Sequence, residues 1–172
     1  MARDWRAKLE ADTGRRTLTS VFVAMVMEPS SAAIVWVRLM LAFQARNTRV
    51  SRLFSRLVAG HLARTYGIHM SVLIKEIGSG FQMPHPTGIV IGDGTVIGDN
   101  VLILQNVTLG RRAITQAGCP VIKNGVQILA GAVIVGAVTI GENAVVGANA
   151  VVLSDVAANA TVVGAPARPV RA

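Results

Sequence analysis

The chain has a single cysteine in 172 residues, and aromatic side chains make up only 4% of it. One cysteine cannot build an internal disulfide framework; it excludes the stapled secreted scaffolds and fits a reducing compartment. So few aromatics exclude a core keyed by large rings. The 52% of hydrophobic residues is therefore mostly Val, Ile, Ala and Leu, a composition suited to stacked short strands. Long apolar runs are missing too. The longest candidate, residues 32–43, is short and carries Arg38, so no membrane span is expected. The charged start has no apolar stretch behind it, so no cleaved signal peptide is expected, and the expected location is cytoplasmic.

Acidic residues are scarce, 9 against 17 Lys and Arg, and the imbalance is local. Residues 1–66 hold 11 Lys/Arg and 4 Asp/Glu, whereas residues 67–172 hold 6 and 5. Two readings follow: a basic helical surface that meets the inner face of a membrane, or an ordinary solvated face. Nucleic acid is not an expected partner, because the excess charge lies outside the larger part of the chain and aromatics for base stacking are few.

The N-terminal part reads as helical. Ser30 and Ser31 after Pro29 are N-cap material for a run over 32–46, and Asn47-Thr48 breaks it. Leu53, Leu57, Val58 and Leu62 recur at helical spacing over 50–66, with Gly67 as the stop. A further short helix is expected over 4–12. These helices are expected to cap the open end of whatever follows, or to pair with other subunits.

Beyond Gly67 the period changes to six. Ile91, Ile97, Ile103 and Leu109 stand six apart; so do Ile122, Ile128, Ile134, Ile140, Val146 and Val152. Small or β-branched residues follow four positions later, from Thr95 and Val101 to Ala150 and Val156. A period of six fits neither a helix nor a flat sheet. It fits a chain that turns a corner every six residues and points one aliphatic inward per side. The division expected is a helical segment 1–66, a hexapeptide-repeat β-helix 67–163 and a tail 164–172. The register breaks twice. Ile77, Met83 and Ile89 are six apart, but Ile91 restarts the count; thirteen positions separate Leu109 from Ile122, with 111–119 reading as a loop. Breaks in a solenoid are where function is grafted.

Of three histidines, His61 lies in an expected helix and His69 at the junction. His85 stands between Pro84 and Pro86, which fix its backbone, beside the first break; it is the candidate for chemistry. No second His or Cys stands at ligand spacing within the repeats, so no metal is expected. Cys119 reads either as a packed thiol or as a nucleophile.

The stretch His85-Pro-Thr-Gly-Ile-Val-Ile-Gly-Asp93, then Gln105-Asn-Val-Thr-Leu-Gly110 and Val163-Gly-Ala-Pro-Ala-Arg168, resembles the hexapeptide-repeat acyltransferases, above all serine acetyltransferases. The resemblance implies a mainly β fold, a left-handed parallel β-helix, assembled as a homotrimer or dimer of trimers. It implies acetyl-CoA as co-substrate, bound in the groove between neighbouring solenoids. By that likeness His85 is the general base that takes a proton from the acceptor hydroxyl as it attacks the thioester. Gly110 opens the loop near the thioester, Ala130 and Ala148 line the path of the CoA arm, and Arg168 meets CoA phosphates. Asp93, one repeat beyond His85, is the candidate to orient the imidazole.

Three departures bear on the acceptor. The family's acid before the catalytic histidine is Pro84 here, its orienting carboxylate falls by count at Met70, and its Arg-His-Pro becomes Gly118-Cys119-Pro120. His85-Pro-Thr-Gly and Gly118-Cys-Pro-Val-Ile122 also resemble the short exopolysaccharide and colanic-acid-type acetyltransferases. The expectation is therefore O-acetylation of a saccharide or exopolysaccharide precursor. Serine O-acetylation in cysteine biosynthesis is the alternative, and a non-catalytic scaffold subunit a further one.

Overall fold

A computed structural model describes residues 5–15, 17–113 and 118–170. Four helices come first: α1 (Trp5–Thr13), α2 (Leu18–Met27), α3 (Pro29–Ala45) and α4 (Arg49–Tyr66). Thr48 caps α4 reciprocally with Ser51, and Gly67 closes it with φ 64°, in the left-handed region. Helix α3 begins at Pro29, earlier than the serines suggest. Proline suits the first helical turn, Glu28 takes the cap position, and the Ser31 hydroxyl donates to Glu28 at 2.6 Å. Helix α2 escapes sequence reading because its run, LTSVFVAMVM, is apolar without a repeating polar face. The face of α4 also differs from expectation. Ser51, Ser55, Val58 and Leu62 are buried, whereas Leu53 and Leu57 are exposed.

Among the described residues fourteen short strands follow, β1 (His69–Met70) to β14 (Arg168–Pro169), in three sheets. The first face stacks β1, β3 (Val90–Ile91), β6 (Thr108–Gly110), β9 (Val133–Val135) and β12 (Val151–Val152). The second stacks β2 (Glu76–Ile77), β4 (Val96–Ile97), β7 (Val121–Ile122) and β10 (Thr139–Ile140). The third stacks β5 (Leu102–Ile103), β8 (Gln127–Ile128), β11 (Val145–Val146) and β13 (Thr161–Val163), with β14 closing antiparallel on β13. All other pairings are parallel, so the chain is a three-sided β-solenoid with helices at its N-terminal end.

The register explains the period. Ile91, Leu109, Ile134 and Val152 align on the first face, Ile77, Ile97, Ile122 and Ile140 on the second, and Ile103, Ile128, Val146 and Val162 on the third. All twelve are buried and form one aliphatic column. Corners stack as well. Gly88 lies under Asn106, and a Cβ on Gly88 would come 2.1 Å from the Asn106 Oδ1, so only glycine fits there.

Both register breaks are corner insertions. Met83 lies inside the third-face side of the first coil, where Gln82 bridges to Leu102, and Ile91 lies on the first face. Eight positions separate them instead of six, so two extra residues lengthen the corner that carries His85. Leu109 and Ile122 lie on adjacent faces, so the thirteen-position spacing between them falls at the corner between first and second faces.

The first coil would leave backbone groups bare, and helices α1 and α3 cover it. Arg38, 2% exposed, donates from Nη1 to the Ile77 carbonyl at 2.9 Å and from Nη2 to that of Gly78. Its guanidinium grips the Asp12 carboxylate in a fork, with Nη2 to Oδ1 at 2.9 Å, and Asp12 in turn accepts from the Phe81 amide at 3.0 Å. Gln44 adds a bond from Nε2 to the Ile74 carbonyl at 2.9 Å. Removing one partner of a buried pair strands the other charge. Arg38→Leu is therefore expected to cost about 3–5 kcal/mol in urea unfolding. A loss under about 1 kcal/mol, the scale of an exposed ion pair, would contradict this role.

Candidate active site

The corners between the third and first faces form one edge of the prism, and four of its residues stack coil upon coil. Asn106 N donates to the Thr87 carbonyl at 3.0 Å, Gly131 N to that of Gln105 at 2.9 Å, and Asn149 N to that of Ala130 at 2.9 Å. Thr87, Gln105, Ala130 and Ala148 thus rise along the edge, three coil steps of about 14 Å in all. His85 sits at the foot of this line, its carbonyl accepting from the Thr87 amide at 2.8 Å. Its side chain is exposed, and its ring makes no hydrogen bond among the described residues. Two flanking prolines and the lengthened corner push it outward, free to meet a ligand.

Ala130 is half-buried and Ala148 exposed, so both leave the edge shallow above His85. Between them and the histidine lies Gln105, which sequence reading missed. Its Oε1 is buried without a partner, and the signal that could have found it is its place one coil above Thr87. His69 faces outward at the start of the first face, paired in register with Val90, while Met70 points into the core. The position where the family's carboxylate falls by count is therefore an inward one.

Asp93 is not brought to His85. It lies past β3, on the edge between first and second faces, where its carboxylate accepts from the Ser71 hydroxyl and stands 3.7 Å from the Arg111 guanidinium. The Cys119 thiol donates to the Asp93 carbonyl, which makes Cys119 a half-buried packing thiol at the foot of the long loop. Within one chain a whole face separates Asp93 from His85, so the expected orienting contact is not formed. Gly110 ends β6 on this side, and a Cβ there would meet nothing within 4 Å. Its lack of a side chain leaves open space that packing within the chain does not require. Arg168 is exposed on β14, at the far end of the third face.

His61 is a packing residue, its ring 4.6 Å from that of Trp36 and 6.2 Å from that of Tyr66. Among the described residues no group of three or more His, Cys, Asp or Glu could hold a metal ion. An open cleft of about 500 Å³ lies at the helical end, lined by Trp5, Arg38, Gln44 and Ile74, away from His85.

Residues 120–154 match the family model for the bacterial transferase hexapeptide (six repeats). The chain is 36% identical over 171 residues to the serine acetyltransferase of Synechococcus elongatus, covering 98% of itself and 66% of that protein. It is 47% identical over 94 residues to that of Buchnera aphidicola from Acyrthosiphon pisum, covering 54% of itself and 34% of that relative. Among solved structures, soybean serine acetyltransferase complexed with serine superposes with a TM-score of 0.79 at 32% identity, covering 98% of this chain and 70% of that one. A serine acetyltransferase complexed with CoA superposes at 0.76, with 28% identity and coverage of 98% and 68%. The chain belongs to the hexapeptide-repeat acyltransferases of the serine acetyltransferase type. It spans only about a third to two thirds of the curated relatives' length.

These relatives correct the expected acceptor. Pro84, Met70 and Gly118-Cys119-Pro120 had pointed away from an amino acid towards a saccharide of exopolysaccharide synthesis. The relatives named above are serine acetyltransferases, and two solved serine acetyltransferases hold serine. The chain still carries a charged pair on the edge of the second break, Arg111 with Asp93 at 3.7 Å, although those particular groups are lost.

If the shallow edge above His85 is a ligand path, filling it blocks binding without touching the core. Ala148→Trp at this exposed position is expected to weaken CoA binding by more than about tenfold in calorimetry, with the melting temperature unchanged. Wild-type affinity in the variant would show that the path runs elsewhere.

Proposed function

We propose that this chain is an acetyl-CoA-dependent serine O-acetyltransferase, a left-handed β-helix working as a homotrimer. The observation that carries the reading is the shared edge: an exposed histidine in a lengthened corner, with Gln105 and then two small residues, Ala130 and Ala148, stacked above it. CoA lies along Ala130 and Ala148 with its thioester at His85, and Gly110, on the other edge of the first face, leaves room for it from a neighbouring chain. Arg168, at the far end of the solenoid, suits the CoA phosphates.

The imidazole of His85 accepts the proton of the serine hydroxyl as its oxygen attacks the thioester carbonyl carbon. The tetrahedral intermediate collapses by breaking the carbon–sulfur bond, and the leaving thiolate takes the proton from the imidazolium. O-acetylserine and CoA are the products. No acyl-enzyme forms, so Cys119 has no covalent part to play.

An amino-acid acceptor needs a cation for its carboxylate and an anion for its ammonium. Arg111, at the second break, and Asp93, on the same edge, supply both, their side chains 45% and 43% exposed and loosely paired at 3.7 Å. They lie on a different edge from His85, so they reach the acceptor from a neighbouring chain. A single solenoid holds the base and the charged pair on different edges, which favours a trimer that brings those edges together.

His85→Ala is expected to lower kcat/KM for L-serine by about 10²- to 10⁴-fold in a CoA-release assay, with CoA binding retained. Sugar nucleotides are expected to give no turnover. Wild-type release from L-serine that is insensitive to the substitution would overturn the proposal.

A further inference from the structure

Helix α4 places its residues against the usual logic of an amphipathic helix. Its inner face buries Ser51 and Ser55, the latter donating to the Met40 carbonyl at 3.2 Å. Its outer face carries Val50, Leu53, Phe54 and Leu57, which are 46 to 64% exposed. Their spacing of i, i+3, i+4 and i+7 aligns them in one stripe along the helix. A stripe of four large apolar residues held in water needs a cover.

The charge beside the stripe says what kind. Arg49, Arg52 and Arg56 are exposed on the same helix, which contains no acidic residue. Arg46 just before it lies over the Phe43 ring, which stacks on Phe54 at 5.3 Å, so a cation is packed onto the stripe itself. None of these four arginines pairs with an acid among the described residues. Of the acids on the other helical segments, Asp12 pairs with Arg38 and Glu28 with Arg15. A second copy seated face to face on this stripe about a two-fold axis would bring arginine against arginine. A surface with acyl chains beneath anionic headgroups offers both complements at once.

We infer that the outer face of α4 docks on an anionic lipid surface, lying in its plane. Among the described residues no helix is long and apolar enough to cross a membrane, so this contact is peripheral. The inference is independent of the acyl-transfer reading, since none of these residues belongs to the proposed site.

The test is sedimentation of the full chain with phosphatidylcholine vesicles containing about 30% phosphatidylserine, at low salt and at about 0.5 M salt, beside pure phosphatidylcholine vesicles. Two double variants accompany it, Leu53→Ser with Phe54→Ser and Arg52→Gln with Arg56→Gln, each checked for folding by circular dichroism and for oligomeric state by light scattering. Binding to the anionic vesicles alone, weakened about tenfold by either double variant and by salt, is the expected result. Absence of binding at low salt would overturn the inference. So would wild-type binding by the serine variant, which would leave only diffuse charge attraction. Loss of oligomeric state in that variant, with no vesicle binding by the wild type, would assign the stripe to a second copy instead.

Discussion

Each coil of this protein must hydrogen-bond to the coil beneath it, and nearly everything else follows from that constraint. A side of six residues places one aliphatic inward and one residue at a corner, and it must do so identically on every level. Insertions are tolerated only where the chain already leaves the ladder, at corners. The lowest coil has no coil beneath it. Arg38, Asp12 and Gln44 answer its bare carbonyls and amide from the helices, which is why a buried guanidinium sits at the junction.

The same constraint turns corners into columns. Residues far apart in sequence, such as Thr87, Gln105, Ala130 and Ala148, become neighbours on one edge, whereas His85 and Asp93 end up on different edges. Chemistry grafted onto such a prism is therefore laid out along edges. An isolated chain presents the proposed base on one and a charged pair on another. Three prisms side by side are the simplest symmetric way to bring those edges together.

The repeat was legible because Ile91 through Val152 mark the inward position directly, without any need for long-range information. His85 was legible as a rigidly presented histidine next to a break. The edges were less so, yet Met83 and Ile91 already imply that His85 precedes the first face and Asp93 follows it. Counting faces rather than repeats would have parted them. Helix α2 lacked a polar face to mark its period, and the period of α4 revealed a helix without revealing which side is buried. Spacing alone cannot tell a core-facing stripe from one turned outward. The acceptor is less legible for a different reason: Pro84, Met70 and Gly118-Cys119-Pro120 carry no charge, while Arg111 and Asp93, distant in sequence, come together only in space.

The account stands or falls on a site assembled from two chains, and mixed oligomers test that most directly. His85→Ala and Arg111→Ala chains, each impaired alone at low serine concentration, are unfolded together and refolded as mixtures. If His85 of one chain works with Arg111 of its neighbour, about a quarter of the sites in an equal mixture regain both groups, and CoA release recovers accordingly. If both groups serve one site within the same chain, every site keeps one defect and verified mixed oligomers stay as inactive as their parents. That result would contradict the account.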